Sequence, residues 1–212
     1  MHIPDGFLTP NTWVSAWLVS TGGIAYCLKK TARILKDKMI PLMGVMSAFI
    51  FAAQMLNFPV MAGTSGHLLG GVLAAVFLGP YAAAVVLACV LIVQCLVFQD
   101  GGLTALGANI FNMAFIGTML GYLVYRIISK IISGNKGIII GAGIAAWFSV
   151  VLASAACSVE LAISQISPLR IVLPAMVGVH ILIGIGEAVI TSLIVSFVLK
   201  VRPDLIYGIK EK

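Results

Sequence analysis

The chain has 212 residues, of which 61% are hydrophobic and only 9% charged, with a mean hydropathy of +1.13. That balance excludes an ordinary soluble domain and leaves room for about seven helical spans of roughly 20 residues each, with no separate soluble domain beside them. The formal charge of +6 does not point to nucleic acid, because the basic residues stand at the ends of apolar runs, where they report topology.

The chain opens on Met1-His2-Ile3-Pro4-Asp5-Gly6-Phe7-Leu8. With a free amine at Met1, that amine, the His2 backbone nitrogen and the His2 imidazole Nδ1 close two fused chelate rings, five- and six-membered, around one metal ion. Three nitrogens in one plane suit Ni(II) or Cu(II), and one coordination position is left over. A frayed, solvated terminus is the ordinary alternative for a second-position histidine. Three features argue for a shaped terminus instead. His2 is too bulky for efficient removal of the initiator methionine, no signal-peptide pattern precedes the first apolar run, and Pro4 followed by Asp5-Gly6 sets a turn directly after the chelating pair.

Hydropathy predicts helical spans at about residues 11–28, 39–56, 67–79, 80–98, 108–129, 137–163 and 171–201. The whole of 1–212 therefore reads as one integral membrane domain, all-α and polytopic. The third span is short, and the run 57–66 before it, with Pro59, Gly63 and Gly66, is expected to be irregular backbone dipping into the membrane, which requires cover by protein or a cavity. Four cysteines, Cys27, Cys89, Cys95 and Cys157, fall inside apolar runs without C-x-x-C spacing and read as buried free thiols.

Seven spans put Lys29, Lys30, Arg33, Lys36, Lys38, Arg126, Lys130, Lys136, Lys200, Arg202, Lys210 and Lys212 on one side and only Arg170 on the other. The positive-inside rule then places the C-terminus in the cytoplasm and the N-terminus outside, in the cell membrane of a prokaryote. The stretches 59–67 and 99–109 gather on the outer side with the terminus and with Asp5, Asp100 and Glu160, an arrangement attractive to cations. His67 is the natural fourth nitrogen, although a histidine at a helix start also serves as a backbone hydrogen-bonding group. Gln99, Asp100, Asn109 and Asn112 are candidates for groups that orient an imidazole.

Deeper in the last span, His180 and Glu187 share one helical face, as a proton or ion pathway or as a hydrogen-bonded structural pair. Their spacing is not H-E-x-x-H, so a metalloprotease has no support. Gly63-Thr64-Ser65-Gly66-His67 lacks the lysine of a Walker A loop, so any ATP hydrolysis belongs to another chain. Ala48 and Ala52 make a small-x-x-x-small face on the second span, either for packing inside the bundle or for docking another membrane subunit.

The terminal octapeptide, Gly-Thr-Ser-Gly-His-Leu-Leu-Gly at 63–70, Phe-Gln-Asp-Gly-Gly-Leu-Thr-Ala-Leu-Gly-Ala-Asn at 98–109 and His-Ile-Leu-Ile-Gly-Ile-Gly-Glu-Ala at 180–188 together resemble the NikM/CbiM family. These are the nickel- or cobalt-binding membrane components of energy-coupling factor transporters. The resemblance implies a six-helix substrate-binding fold with one extra N-terminal helix, and Met1, His2 and His67 as metal ligands. It implies partners too: a pair of cytoplasmic ATPases, a transmembrane coupling subunit meeting the Ala48/Ala52 type of face, and a small accessory membrane subunit. The expected role is capture of Ni(II), with Co(II) as the alternative cargo, for an ATP-driven importer and not an enzyme. A self-contained secondary transporter using His180 and Glu187 is the competing reading.

Overall fold

A computed structural model describes residues 1–61 and 63–209. Ala62, within the 59–67 stretch, and residues 210–212, including the basic Lys210 and Lys212, lie outside the described residues.

Seven helices make up nearly all of the described structure: α1 (Pro10–Ile34), α2 (Met39–Met55), α3 (Gly71–Leu78), α4 (Pro80–Phe98), α5 (Leu106–Ile131), α6 (Gly134–Ile163) and α7 (Leu169–Val201). Proline opens α1 and α4 at the first helical position, where its missing N–H costs nothing. Among the described residues, α4, α5, α6 and α7 are long and apolar enough to cross a membrane, and α2 is a shorter apolar helix. The middle of α5, Phe111–Leu120, winds as π-helix.

The third predicted span differs from expectation. Only Gly71–Leu78 is helical, and all eight of its residues are buried, so α3 is a core helix rather than a lipid-facing one. Gly70, at φ +75°, and Gly79, at φ +79°, bracket it with backbone that a side chain would strain. The path nevertheless runs the length of the bundle. His67 lies level with Gln94 near the end of α4 through their shared neighbour His2, while Gly79 packs on the Tyr207 ring at the other end. From Pro80 to Gln94, α4 rises about 21 Å, and eight helical residues rise only about 12 Å, so the non-helical residues 67–70 supply the remainder.

Close backbone approach explains why α3 fits at all. A Cβ on Gly71 would lie 2.7 Å from the Gly117 carbonyl in the π-helical part of α5. The run 57–66 is not irregular throughout: Phe58–Pro59 and Ser65–Gly66 pair as a two-stranded antiparallel ladder, Phe58 opposite Gly66 and Pro59 opposite Ser65. The ladder holds the backbone polar groups of this segment and delivers Ser65 and His67 to one place.

All four cysteines are free. Cys27, Cys95 and Cys157 are buried as expected, but Cys89 is exposed, because its position on α4 points away from the bundle and an apolar run does not say which face a residue takes. Ala48 and Ala52 are exposed on α2, so they do not serve packing inside the bundle.

Candidate metal centre

The N-terminal segment is laid into the protein instead of projecting from it. Met1 and Ile3 are fully buried, and each such side chain contributes roughly 1.5–3 kcal/mol to holding the segment down. Asn109 grips the segment from both sides: Ile3 N–H donates to Asn109 Oδ1 at 2.8 Å, and Asn109 Nδ2 donates to the Ile3 carbonyl at 3.1 Å. Gly102 N–H adds a bond to the same carbonyl at 2.8 Å. Asp5 then caps the following loop, accepting from the Thr104 hydroxyl, from Thr104 N–H at 2.7 Å and from Leu103 N–H at 3.0 Å, and these bonds, the hydroxyl's first, hold its carboxyl below the usual range against the opposing effect of burial. A Cβ on Gly102 would fall onto the Asp5 backbone, 2.6 Å from the Pro4 carbonyl carbon, so only glycine lets the two strands of chain lie so close.

These contacts bring four nitrogens together. The Met1 amine donates to the Ser65 carbonyl and to Ser65 Oγ at 3.0 Å, and the His2 N–H donates to the same hydroxyl at 3.1 Å. The His2 and His67 rings stack with centroids 4.5 Å apart. His67 Nδ1 donates to the Leu68 carbonyl at 2.7 Å, which leaves Nε2 with its lone pair. His2 Nε2 donates to Gln94 Oε1 at 3.0 Å, which leaves Nδ1 with its lone pair. His2 Nδ1 and His67 Nε2 are both buried without a hydrogen-bond partner among the described residues. Fixing the tautomer through the other ring nitrogen is how proteins prepare an imidazole for a metal. Turning the Gln94 amide over would reverse the His2 tautomer and make Nδ1 a donor, so Gln94 governs whether that nitrogen is free.

Burial also sets the charge of these groups. It brings the Met1 amine down to about 5 and the His2 ring down to about 3, helped by the charge of the amine. The His67 ring is held well below its ordinary value by burial first, then by the amine and His2. All three are therefore neutral at pH 7, the form in which nitrogen binds a metal. Asp100 Oδ1 stands 3.4 Å from His2 Nδ1. With that ring neutral the contact is not an ion pair; a lone pair faces a carboxylate, which a cation between or beside them would relieve. Burial pushes the Asp100 carboxyl up, while the amine and Asn57 pull it down, and Asn57 Nδ2 donates to its other oxygen at 2.8 Å.

Of the predicted residues, Met1, His2 and His67 meet, Asp100 is beside them, and Asn109 anchors the segment. Gln99 is exposed at the end of α4, and Asn112 donates instead to Glu160 on α6 at 2.6 Å. Ser65 and Gln94 were not anticipated. Gln94 had a signal, a lone amide in the apolar run Val90–Phe98; Ser65 had none beyond its place in the Gly-rich stretch. His180 and Glu187 share a face of α7 but do not pair. His180 Nδ1 donates to the Met176 carbonyl at 2.7 Å, and Glu187 accepts from Leu69 N–H at 2.5 Å and Gly70 N–H at 2.8 Å. Among the described residues no three His, Cys, Asp or Glu side chains converge as a conventional metal cluster.

Residues 2–205 match the profile of the CbiM family, the cobalt uptake substrate-specific transmembrane region. The chain belongs to that family. Its relatives include a fused protein of Archaeoglobus fulgidus named NikMN for nickel transport, 43% identical over 97% of this chain and 68% of its own length. A CbiM protein of Methanocaldococcus jannaschii, named for cobalt transport, is 33% identical over 97% of this chain and 90% of its own. A crystal structure of a truncated transition metal transporter superposes with a TM-score of 0.88 at 35% identity, covering 94% of this chain and 99% of that one. CbiM membership accounts for the helical membrane fold, and these relatives are named as transport proteins, not enzymes.

Proposed function

We propose that this protein captures a late transition-metal cation, Ni(II) first, as the substrate-binding membrane component of an ATP-driven importer. The Met1 amine, the His2 backbone nitrogen, His2 Nδ1 and His67 Nε2 are the ligands. The observation that carries the reading is the pair of buried imidazole nitrogens, His2 Nδ1 and His67 Nε2, both without partners among the described residues and both beside the Met1 terminus. On binding, the metal displaces the amine and amide hydrogens from Ser65, and the negative charge of the ionised amide together with Asp100 offsets the charge of the ion. A planar four-nitrogen set favours low-spin Ni(II).

Co(II) is the second reading. Asp100 Oδ1, 3.4 Å from His2 Nδ1, is placed near enough to add an oxygen outside the plane, and Co(II) accepts extra ligands more readily. Metal analysis of the purified chain with its visible absorption spectrum separates the two, because planar Ni(II) and five- or six-coordinate Co(II) absorb differently. A purified protein that retained neither metal would end the proposal.

The pH dependence follows from the burial of the ligands. An ordinary imidazole would begin to lose its metal near pH ~6.5, but here the amine and rings titrate lower, the amine at about 5 and His2 at about 3. Protonation competes with metal only below those values, since lowered values keep the nitrogens free down to them. The His2 amide proton is released at every pH, so affinity should fall about tenfold per pH unit from pH 8 to 6 and more steeply below about 5. Competition titration with a chelator of known affinity checks this, and a flat profile between pH 8 and 6 would remove the amide nitrogen from the set.

The importer reading carries further parts. Residues 1–8 and the 99–105 loop face the outside of the cell membrane and the C-terminus faces the cytoplasm, in line with the basic residues at the inner ends of the helices. ATP hydrolysis belongs to cytoplasmic ATPase partners, a small accessory membrane subunit is a further partner, and the exposed Ala48 and Ala52 dock the transmembrane coupling subunit. Replacing both alanines with leucine should reduce co-purification of the coupling subunit severalfold while leaving metal retention by this chain unchanged. Full co-purification would move the docking face elsewhere.

A further inference from the structure

The last helix holds a third imidazole that the ligand set above leaves unused. His180 is fully buried, its Nδ1 is committed to the Met176 carbonyl, and its Nε2 therefore carries a lone pair with no partner among the described residues. The helix itself does not require a histidine here, since an apolar side chain would bring no buried acceptor to leave unsatisfied.

Contacts of the segment 63–70 place that nitrogen. Thr64 Oγ1 lies 3.8 Å from Met176 Sδ, Gly66 faces Ile183 so closely that a Cβ would stand 3.0 Å from Ile183 Cδ1, and Leu69 and Gly70 donate to Glu187. The segment thus runs along α7 in step with Met176, Ile183 and Glu187, which lie on one helical face. His180, four residues after Met176 and seven before Glu187, shares that face. It stands between the Thr64 contact and the Leu69 contact, as His67 does on the opposing segment.

We infer that His180 is a second, inward metal ligand, whose Nε2 takes the place of His67 Nε2 on a divalent late transition-metal cation as the ion leaves the outer set. The inference rests on the ligand set proposed above. Exchange of one neutral imidazole for another changes neither the charge of the ion nor its ligand type, and no proton has to move. One Nε2–metal bond forms as the other breaks, with the three nitrogens of Met1 and His2 still in place. The bonds from the Leu69 and Gly70 N–H groups to Glu187 hold the segment in the capturing position; their release frees α7 to slide along the segment and bring His180 forward.

The test uses the full chain, purified with its native terminus, with Ni(II) as the probe and retention against a chelator as the readout. His180→Ala alone should change retention by less than about threefold, whereas adding it to His67→Ala should lower the residual retention by a further tenfold or more, roughly. X-ray absorption should count two imidazoles per metal in His67→Ala and one in the double variant. His180→Gln, which keeps a polar group at the site, carries the same comparison if the alanine variant is poorly folded. Equal small effects of the His180 change in both backgrounds, with a single imidazole in His67→Ala, would overturn the inference and leave the outer set standing. Undiminished retention in His67→Ala itself would overturn both.

Discussion

A chain carrying several added residues ahead of Met1, and left uncleaved, should lose Ni(II) affinity by at least about a hundredfold, roughly 2.8 kcal/mol. Such an extension turns the Met1 nitrogen into an amide and carries the new amine several residues away from the His2 imidazole, so the compact five- and six-membered chelate that Met1 and His2 close is lost. There is also no space for added residues: Met1 is fully buried, with its amine against the Ser65 carbonyl and hydroxyl. An extension must either pull the segment off Ser65 or leave the pocket occupied by a group that cannot bind metal. The helices do not depend on the terminus, so expression and membrane insertion should be unaffected, and a C-terminal tag of the same size should change nothing. Retention of Ni(II) by an extended chain, its start verified by mass spectrometry, at the affinity of the unextended one would show that the terminal amine is not a ligand.

His67→Ala should weaken metal retention by at least about tenfold, roughly 1.4 kcal/mol. The loss is smaller than for extension because three nitrogens of the Met1-His2 pair remain, and the fourth position passes to His180, whose approach costs the Glu187 bonds to the segment. His67 sits in the extended stretch ahead of α3, not in the helix, and its Nδ1 is tied to the neighbouring Leu68 carbonyl, so removing the ring takes away one local hydrogen bond and one stacking partner of His2 without cutting a helix. The absorption band of the planar site should shift as the fourth ligand is exchanged and the plane is distorted. An unchanged spectrum together with unchanged retention would remove His67 from the site.

The two experiments separate a chelate that is local in sequence from one that needs the fold. In the extended chain the local chelate is destroyed and the folded contribution from His67 is left alone; in His67→Ala the reverse holds. A protein in which both changes cost the same would have its affinity set by the four-nitrogen plane as a unit, since coupled ligands are not additive.

Several features of this protein were legible from the amino-acid sequence by itself. Hydropathy is a one-dimensional property, and it located all seven helices of the described residues, with α4 at its observed ends; the proposed Met1-His2 chelate is two adjacent residues, so its chemistry could be proposed without a structure. Tertiary structure decided what depended on contact between distant parts of the chain. The third crossing proved only half helical, because Gly70 and Gly79 adopt positive φ and α3 is buried on all sides rather than facing lipid. Gln94 meets His2 across 92 residues of sequence and sets its tautomer, and Ser65 meets the terminus across 63. Glu187 proved to be bound to the segment beside His67 instead of to His180. Hydropathy and chelate-ring size are properties of near neighbours along the chain, whereas which ring nitrogen is left free is set by whatever the fold packs against the other one.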